Sequence, residues 1–203
     1  MHISEGVLSP PVLLAGTVLA VSGVAVGLKK MDYQQLVTVA LLSSAFFVAS
    51  LIHVPIGPGN IHLVLNGIMG ILLGWACFPA IAIALLLQAI LFQFGGLTTL
   101  GTNTIIMAFP ALICWYLFQP LLAGSPARRS AASFLCGFLS VCLSALLAAM
   151  CLSLSQEAFV SAARLLVLIH IPVMIIDGIV TMYAISFIAR VKPELLRRPA
   201  DRN

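Results

Sequence analysis

Two residues at the start of the chain and one a third of the way along have the chemistry to hold a metal ion. Met1 brings an amine and His2 an imidazole. The backbone nitrogen of His2 becomes a further donor once a metal displaces its proton. The amine and amide close a five-membered chelate ring, and the amide and His2 Nδ1 close a six-membered one. Both rings are nearly unstrained, so these nitrogens share a plane and leave one equatorial position open for an outside imidazole. Such tetragonal nitrogen fields suit Ni(II) and Cu(II), and Co(II) accepts them. Zn(II) prefers a tetrahedron, and Mg(II) and Ca(II) prefer oxygen. A Met-His opening is common by chance, so the rest of the chain must supply the fourth donor. His62 is the candidate, with His53 as a competing one.

The elements that must position these groups are membrane helices. The 203 residues are 62% hydrophobic and 8% charged, with a mean hydropathy of +1.16. Soluble domains carry about 25% charged residues, so the composition specifies a polytopic integral membrane protein in contact with lipid. The net charge of +4 calls for no nucleic acid, because in membrane proteins the placement of Lys and Arg matters more than their sum. Cys77, Cys114, Cys136, Cys142 and Cys151 lie scattered in apolar stretches without a CxxC pair and read as small packing residues. The N-terminus does not read as a secretory signal: it lacks a basic start, carries Glu5 and meets Pro10-Pro11 before the apolar run.

Apolar runs predict spans near Pro11–Leu28, Leu36–Ile52, Ile61–Cys77, Pro79–Phe94, Thr104–Leu122, Ala131–Leu154 and Leu166–Ala189. The expected fold is an all-α, seven-span bundle. It forms one domain over 1–191, with a metal-binding segment at 1–8 and a basic tail at 192–203. Placing the N-terminus outside puts Lys29, Lys30, Arg128, Arg129, Arg190, Lys192, Arg197, Arg198 and Arg202 on the cytoplasmic side and leaves only Arg164 outside, as the positive-inside rule asks. The C-terminus is then cytoplasmic. The loop His53–Asn60 and His62, at the outer end of span three, then share a face with Met1 and His2.

That face is rich in polar groups, which are costly at lipid depth and usually turn inward. The stretch Gly95–Asn103, preceded by Gln88 and Gln93, is a plain hairpin or a lid; it contains Thr98 and Thr99. Asn60, Asn66 and Asn103 can bond the N-terminal segment or the ligand imidazoles, since a metal-bound His normally donates its other N–H to a neighbouring acceptor. His170 and Asp177 lie two turns apart in span seven. His170 can support the ligands. Asp177 is a functional candidate or an internal partner for backbone, Asn or Gln groups. Small residues recur four apart at Gly23/Gly27, Gly70/Gly74 and Ala145/Ala149, for packing inside the bundle or against a partner. A P-loop, HExxH and GxSxG are all missing from the sequence, so the chain offers a ligand site without an energy source of its own and should need partners. A membrane enzyme or assembly factor using Asp177, His170 and His53, and a passive metal channel, are the competing readings.

Met1-His-Ile-Ser-Glu-Gly-Val-Leu8, Ile52-His-Val-Pro-Ile-Gly-Pro-Gly-Asn-Ile-His-Leu-Val-Leu-Asn-Gly67 and Phe92-Gln-Phe-Gly-Gly-Leu-Thr-Thr-Leu-Gly-Thr-Asn103 resemble the CbiM/NikM family. These are the substrate-binding (S) components of energy-coupling factor (ECF) transporters for cobalt and nickel. The resemblance implies a six-helix S-component core with one extra N-terminal helix. It implies metal on the Met1 amine, the His2 amide and imidazole and an imidazole at His62, under a lid of Gly95–Asn103. No cofactor would be bound permanently; Co(II) or Ni(II) is the cargo. The implied partners are a transmembrane coupling (T) protein, two ATP-binding cassette subunits and a small accessory membrane protein, in a bacterial inner membrane. Asp177 stands where the family often has Glu. The opening is closer to the CbiM branch, whereas a square-planar field favours nickel, so the sequence leaves both metals open.

Overall fold

The computed structural model describes residues 3–56 and 59–196, and side chains at 3–52 and 63–196. The chain order is α1 (Pro10–Lys30), α2 (Leu36–Leu51), β1 (His53–Ile56), β2 (Gly59–His62), α3 (Asn66–Leu73), α4 (Cys77–Phe92), α5 (Leu100–Phe118), α6 (Pro126–Ser155), α7 (Val160–Ile169) and α8 (Ile171–Val191). Helix boundaries follow local chemistry. Pro10 and Pro11 open α1 in its first turn, where a missing N–H costs nothing, and Lys29 and Lys30 close it. Ser125 caps α6, its hydroxyl accepting from the Arg128 N–H, and Pro126 follows.

Six helical stretches are long and apolar enough to cross a membrane, among them Asn66–Phe92 taken as one. Large apolar side chains such as Leu14, Leu154 and Tyr183 point outward, more than 65% exposed, while Asn66, Gln88, Thr99 and Asp177 are buried. That arrangement suits a surface covered by lipid, and the protein is a multi-pass membrane protein.

Two expected spans are corrected. Ile61–Cys77 is not one helix. Residues 59–62 form a strand, and α3 has eight residues, about 12 Å at 1.5 Å per residue against a hydrocarbon core of about 30 Å. Gly74 ends α3 at φ +54, a conformation that side chains with a Cβ rarely take. The chain then reverses. Gly70 abuts Ala111 and Gly74 abuts the Trp115 ring, but Cys77 Sγ donates back to Ala108 O at 3.7 Å. So α3 runs along α5 in one direction and α4 returns in the other. Span seven, expected over Leu166–Ala189, is broken at His170 between α7 and α8, because Pro172 cannot donate to an upstream carbonyl and its ring crowds the preceding turn.

The small-residue stripes of α1 and α3 pack inside the bundle. Gly16, Gly23 and Gly27 leave no room for a Cβ against Thr102, Phe78 and Pro79, and Gly70 lies on the Ala111 backbone. Among the described residues, the basic side chains other than Arg164 gather at one end. Lys30 Nζ sits 4.7 Å above the Trp75 ring, whose Nε1 donates to Tyr116 Oη at 2.8 Å. Arg129 donates to Leu122 O and Gly124 O. Ser130 and Ser186 hydroxyls, 3.4 Å apart, join the start of α6 to the end of α8, where Arg190 and Lys192 follow. Arg164, in α7 after the far end of α6, lies at the other end.

Candidate metal centre

The end opposite the basic cluster holds the starts of α1, α5 and α8 and the ends of α2, α4 and α6. The N-terminal segment is tied down there. Ile3 N–H donates to Asn103 Oδ1 at 3.0 Å, and Asn103 Nδ2 donates to Ile3 O at 3.0 Å. One amide thus treats Ile3 as a neighbouring strand would, bonding both backbone groups of the residue that follows His2. Asn103 Nδ2 also donates to Thr99 Oγ1 at 3.2 Å, and the Thr99 hydroxyl reaches Gly96 O at 3.3 Å. Thr98 N–H donates to Glu5 Oε1 at 3.0 Å. That bond holds the exposed Glu5 carboxyl below its ordinary value. Gly96, at φ +152, has no room for a Cβ against the Glu5 side chain. Ser9 N–H donates to Ser155 Oγ at 3.1 Å. The stretch 95–103 is therefore bonded onto residues 3–5 and is not a free hairpin.

The second strand of the site region is held from α8. β1 and β2 pair antiparallel, with His53 opposite His62 in the backbone register. After β2 the chain is non-helical until Asn66, and a bilayer tolerates such backbone only when the protein itself supplies its partners. Asp177, 1% exposed, supplies two: Val64 N–H donates to Oδ2 at 3.2 Å and Leu65 N–H to Oδ1 at 3.0 Å. Leu65 has a left-handed φ of +55. Asn66 is fully buried and donates Nδ2 to Ser144 Oγ at 2.9 Å; its Oδ1 has no partner among the described residues.

The expected site residues separate into groups. Met1 and His2 lie outside the described residues, as do the side chains of His53, Asn60 and His62; Asn60 pairs in register with Pro55. Asn103 and the Thr98 backbone meet the N-terminal segment, and Thr99 bonds Asn103 and Gly96 behind them. Asp177 and Asn66 meet the chain just after His62. Gln93 ends α4 with φ +57 and an exposed side chain, and makes no described contact with the segment. Gln88 Nε2 donates to Ser50 Oγ in the interior. His170 Nδ1 is 2.7 Å from Leu166 O, its own helix. With Asp177 on backbone N–H groups and His170 on a carbonyl, the acid–base pair that an enzyme would need is not drawn together by any described bond. Ser144, Ser155 and Ser50 were not singled out from the sequence. Each is one of several hydroxyls along an apolar helix, and only its partner sets it apart.

Fold and site together define a multi-pass helical membrane protein whose N-terminal segment is bonded into one end of its bundle. The model of the CbiM family, described as the cobalt uptake substrate-specific transmembrane region, matches residues 2–195. The chain belongs to that family. It is 46% identical to a putative metal transport protein of Haemophilus influenzae over 98% of both chains. It is 29% identical to a cobalt transport protein CbiM of Sorangium cellulosum, covering 98% of this chain and 95% of that one. It is 27% identical to a putative fused nickel transport protein NikMN of Archaeoglobus fulgidus, covering 98% of this chain and 69% of that one. A crystal structure of a transition metal transporter superposes with a TM-score of 0.81 at 26% identity, covering 94% of this chain and 93% of that one.

Proposed function

We propose that this chain is the substrate-capturing subunit of an ATP-driven ECF-type importer for Co(II), Ni(II) or both. Metal binds to the Met1 amine, the His2 amide and imidazole and the His62 imidazole, outside the membrane. The segment 95–103 acts as the lid. A coupling membrane protein and two ATP-binding cassette subunits supply the energy, with a small accessory membrane protein beside them, in the inner membrane of a bacterium. This chain has no ATPase or other catalytic role.

The observation that carries the reading is the pair of bonds between Asn103 and Ile3. A terminal chelate works only if the first two residues are presented in a fixed place, and the bundle holds the backbone of the next residue on both sides. Relatives named for cobalt and for nickel transport support the choice of cargo. Seven passes, with the N-terminus outside and the C-terminus in the cytoplasm, follow if β2, residues 63–65 and α3 count as one composite pass. The reversal at Gly74 and the basic cluster at one end support that count.

The test is metal content by mass spectrometry after exposure to equal Co(II) and Ni(II), for protein with its native N-terminus and for protein with one Gly added before Met1. The addition keeps every side chain but moves the amine and breaks the paired chelate rings. A sharp drop in bound metal is expected. Equal binding by both forms would sink the terminal chelate and turn attention to His53, His62 and His170.

A further inference from the structure

Asp177 is the one carboxylate buried among the described residues, and it touches none of the described polar side chains of the site. Its two oxygens go to the backbone N–H groups of Val64 and Leu65. Those groups lie immediately before α3, where a helix leaves its first N–H groups without intrahelical acceptors. A carboxylate there is favoured both as an acceptor and by the helix dipole. Leu65, the residue before α3, is held at a left-handed φ of +55, a conformation that persists in a residue with a Cβ only when its surroundings impose it.

The depth of the carboxylate is set by backbone packing. A Cβ on Gly137 of α6 would sit 2.6 Å from Asp177 O and 2.9 Å from Gly178 Cα, and one on Gly67 of α3 would sit 2.6 Å from Gly137 Cα. Three helices thus meet backbone to backbone around Asp177. Val64 is 1% exposed and Asn66 is fully buried, so the chain at Val64 lies away from water.

We infer that Asp177 is a positioning residue for His62: through Val64 N–H and Leu65 N–H it fixes the chain two and three residues beyond that histidine, and it does not bind the metal itself. The inference rests on His62 being the outside imidazole of the proposed site. It also gives the carboxylate a role other than acid–base chemistry.

The test uses the full chain in detergent, with its native N-terminus, as wild type, Asp177→Asn, Asp177→Glu and His62→Ala. Three quantities are read: Ni(II) affinity by equilibrium dialysis, the position of the Ni(II) ligand-field band at saturating metal, and amide exchange at Val64 and Leu65. Asp177→Asn should weaken binding about tenfold to a hundredfold, the range for partners that orient metal ligands. It should leave the band where it is, because the donor nitrogens are unchanged, and it should speed exchange at both amides. Asp177→Glu should recover part of the affinity. His62→Ala should move the band. Wild-type affinity and exchange in Asp177→Asn would overturn the positioning role, and a shifted band in that variant would make the carboxylate a ligand. If Asp177→Asn fails to fold, Asp177→Glu decides on the same readings. If the wild type binds no metal, the proposed function fails, whereas the exchange rates still decide whether Asp177 holds the segment.

Discussion

Asn103 and Ile3 exchange a matched pair of hydrogen bonds, each 3.0 Å long, the side-chain amide of one taking both backbone groups of the other. A single residue of α5 therefore sets the position of Ile3. The carboxamide is the side chain suited to this, since it offers a donor and an acceptor side by side. Asn103→Asp keeps the acceptor and loses the donor, leaving Ile3 O without its partner. Asn103→Ala loses both. Metal affinity by equilibrium dialysis should fall in the order wild type, Asp, Ala, with the Ala variant about tenfold to a hundredfold weaker. Equal affinities would separate the bond pair from the metal site.

Proton competition should dominate the pH dependence. Binding needs neutral imidazoles and displaces the His2 amide proton, so affinity should weaken steadily from about pH 7 to pH 5, a range spanning the ordinary imidazole pKa of about 6.5. A flat profile across that range would contradict the nitrogen donor set.

Glu5 acts at lower pH. Its carboxyl is held below the ordinary value of 4.5 by the Thr98 N–H. A depressed carboxylate stabilises the fold above its unfolded pKa, and that contribution is lost as pH falls through the folded one. The tie between Glu5 and the 95–99 turn should thus persist from pH 7 to 5 and open only below. Glu5→Gln should accelerate amide exchange at Thr98 at neutral pH, yet leave the slope of metal affinity between pH 7 and 5 as in the wild type. A changed slope would mean that Glu5 titrates with the site.

The glycine contacts around Asp177 should be intolerant of a methyl group. Gly137→Ala would drive a Cβ to 2.6 Å from both Asp177 O and Thr181 Oγ1, and separating packed helices costs about 1–3 kcal/mol. Gly6, at φ +78, has open space around it, so Gly6→Ala should cost only the left-handed backbone term of about 1–2 kcal/mol and spare the contact between α6 and α8. Thermal unfolding in detergent, with amide exchange along α8 as the second reading, distinguishes the two. Equal exchange along α8 in both variants would show that the bundle can spread at Gly137.

Much of the architecture was legible in the residues because a bilayer imposes blunt rules. A run of about 20 apolar residues reads as a helix, and a cluster of Lys or Arg marks an end. Helices α1, α2, α4, α5 and α6 fall where the apolar runs lie, and the basic residues segregate as their order along the chain requires. The proposed terminal chelate rests on the sequence alone, since the donor set of Met1-His2 is a matter of covalent geometry and chelate-ring size. The stretch His53–His62 was less so. By sequence His53–Asn60 reads as a loop and Ile61 as the start of a span, and hydropathy does not distinguish a strand from a helix. Only pairing between β1 and β2 and the two bonds from Asp177 explain how a non-helical stretch survives before α3.

The sequence by itself determined that the protein lives in a membrane, and it supplied the Met1, His2 and His62 nitrogens on which the proposed metal site rests. Only the tertiary structure decided what holds those pieces. Asn103 is 100 residues from Ile3 and Asp177 is 113 from Val64. A hydrogen bond is satisfied by proximity in space, which the order of residues along a chain does not encode locally. The same limit hid Ser144 and Ser155, and it left Asn103 and Asp177 as two polar residues among many until packing brought each to the one backbone segment it serves.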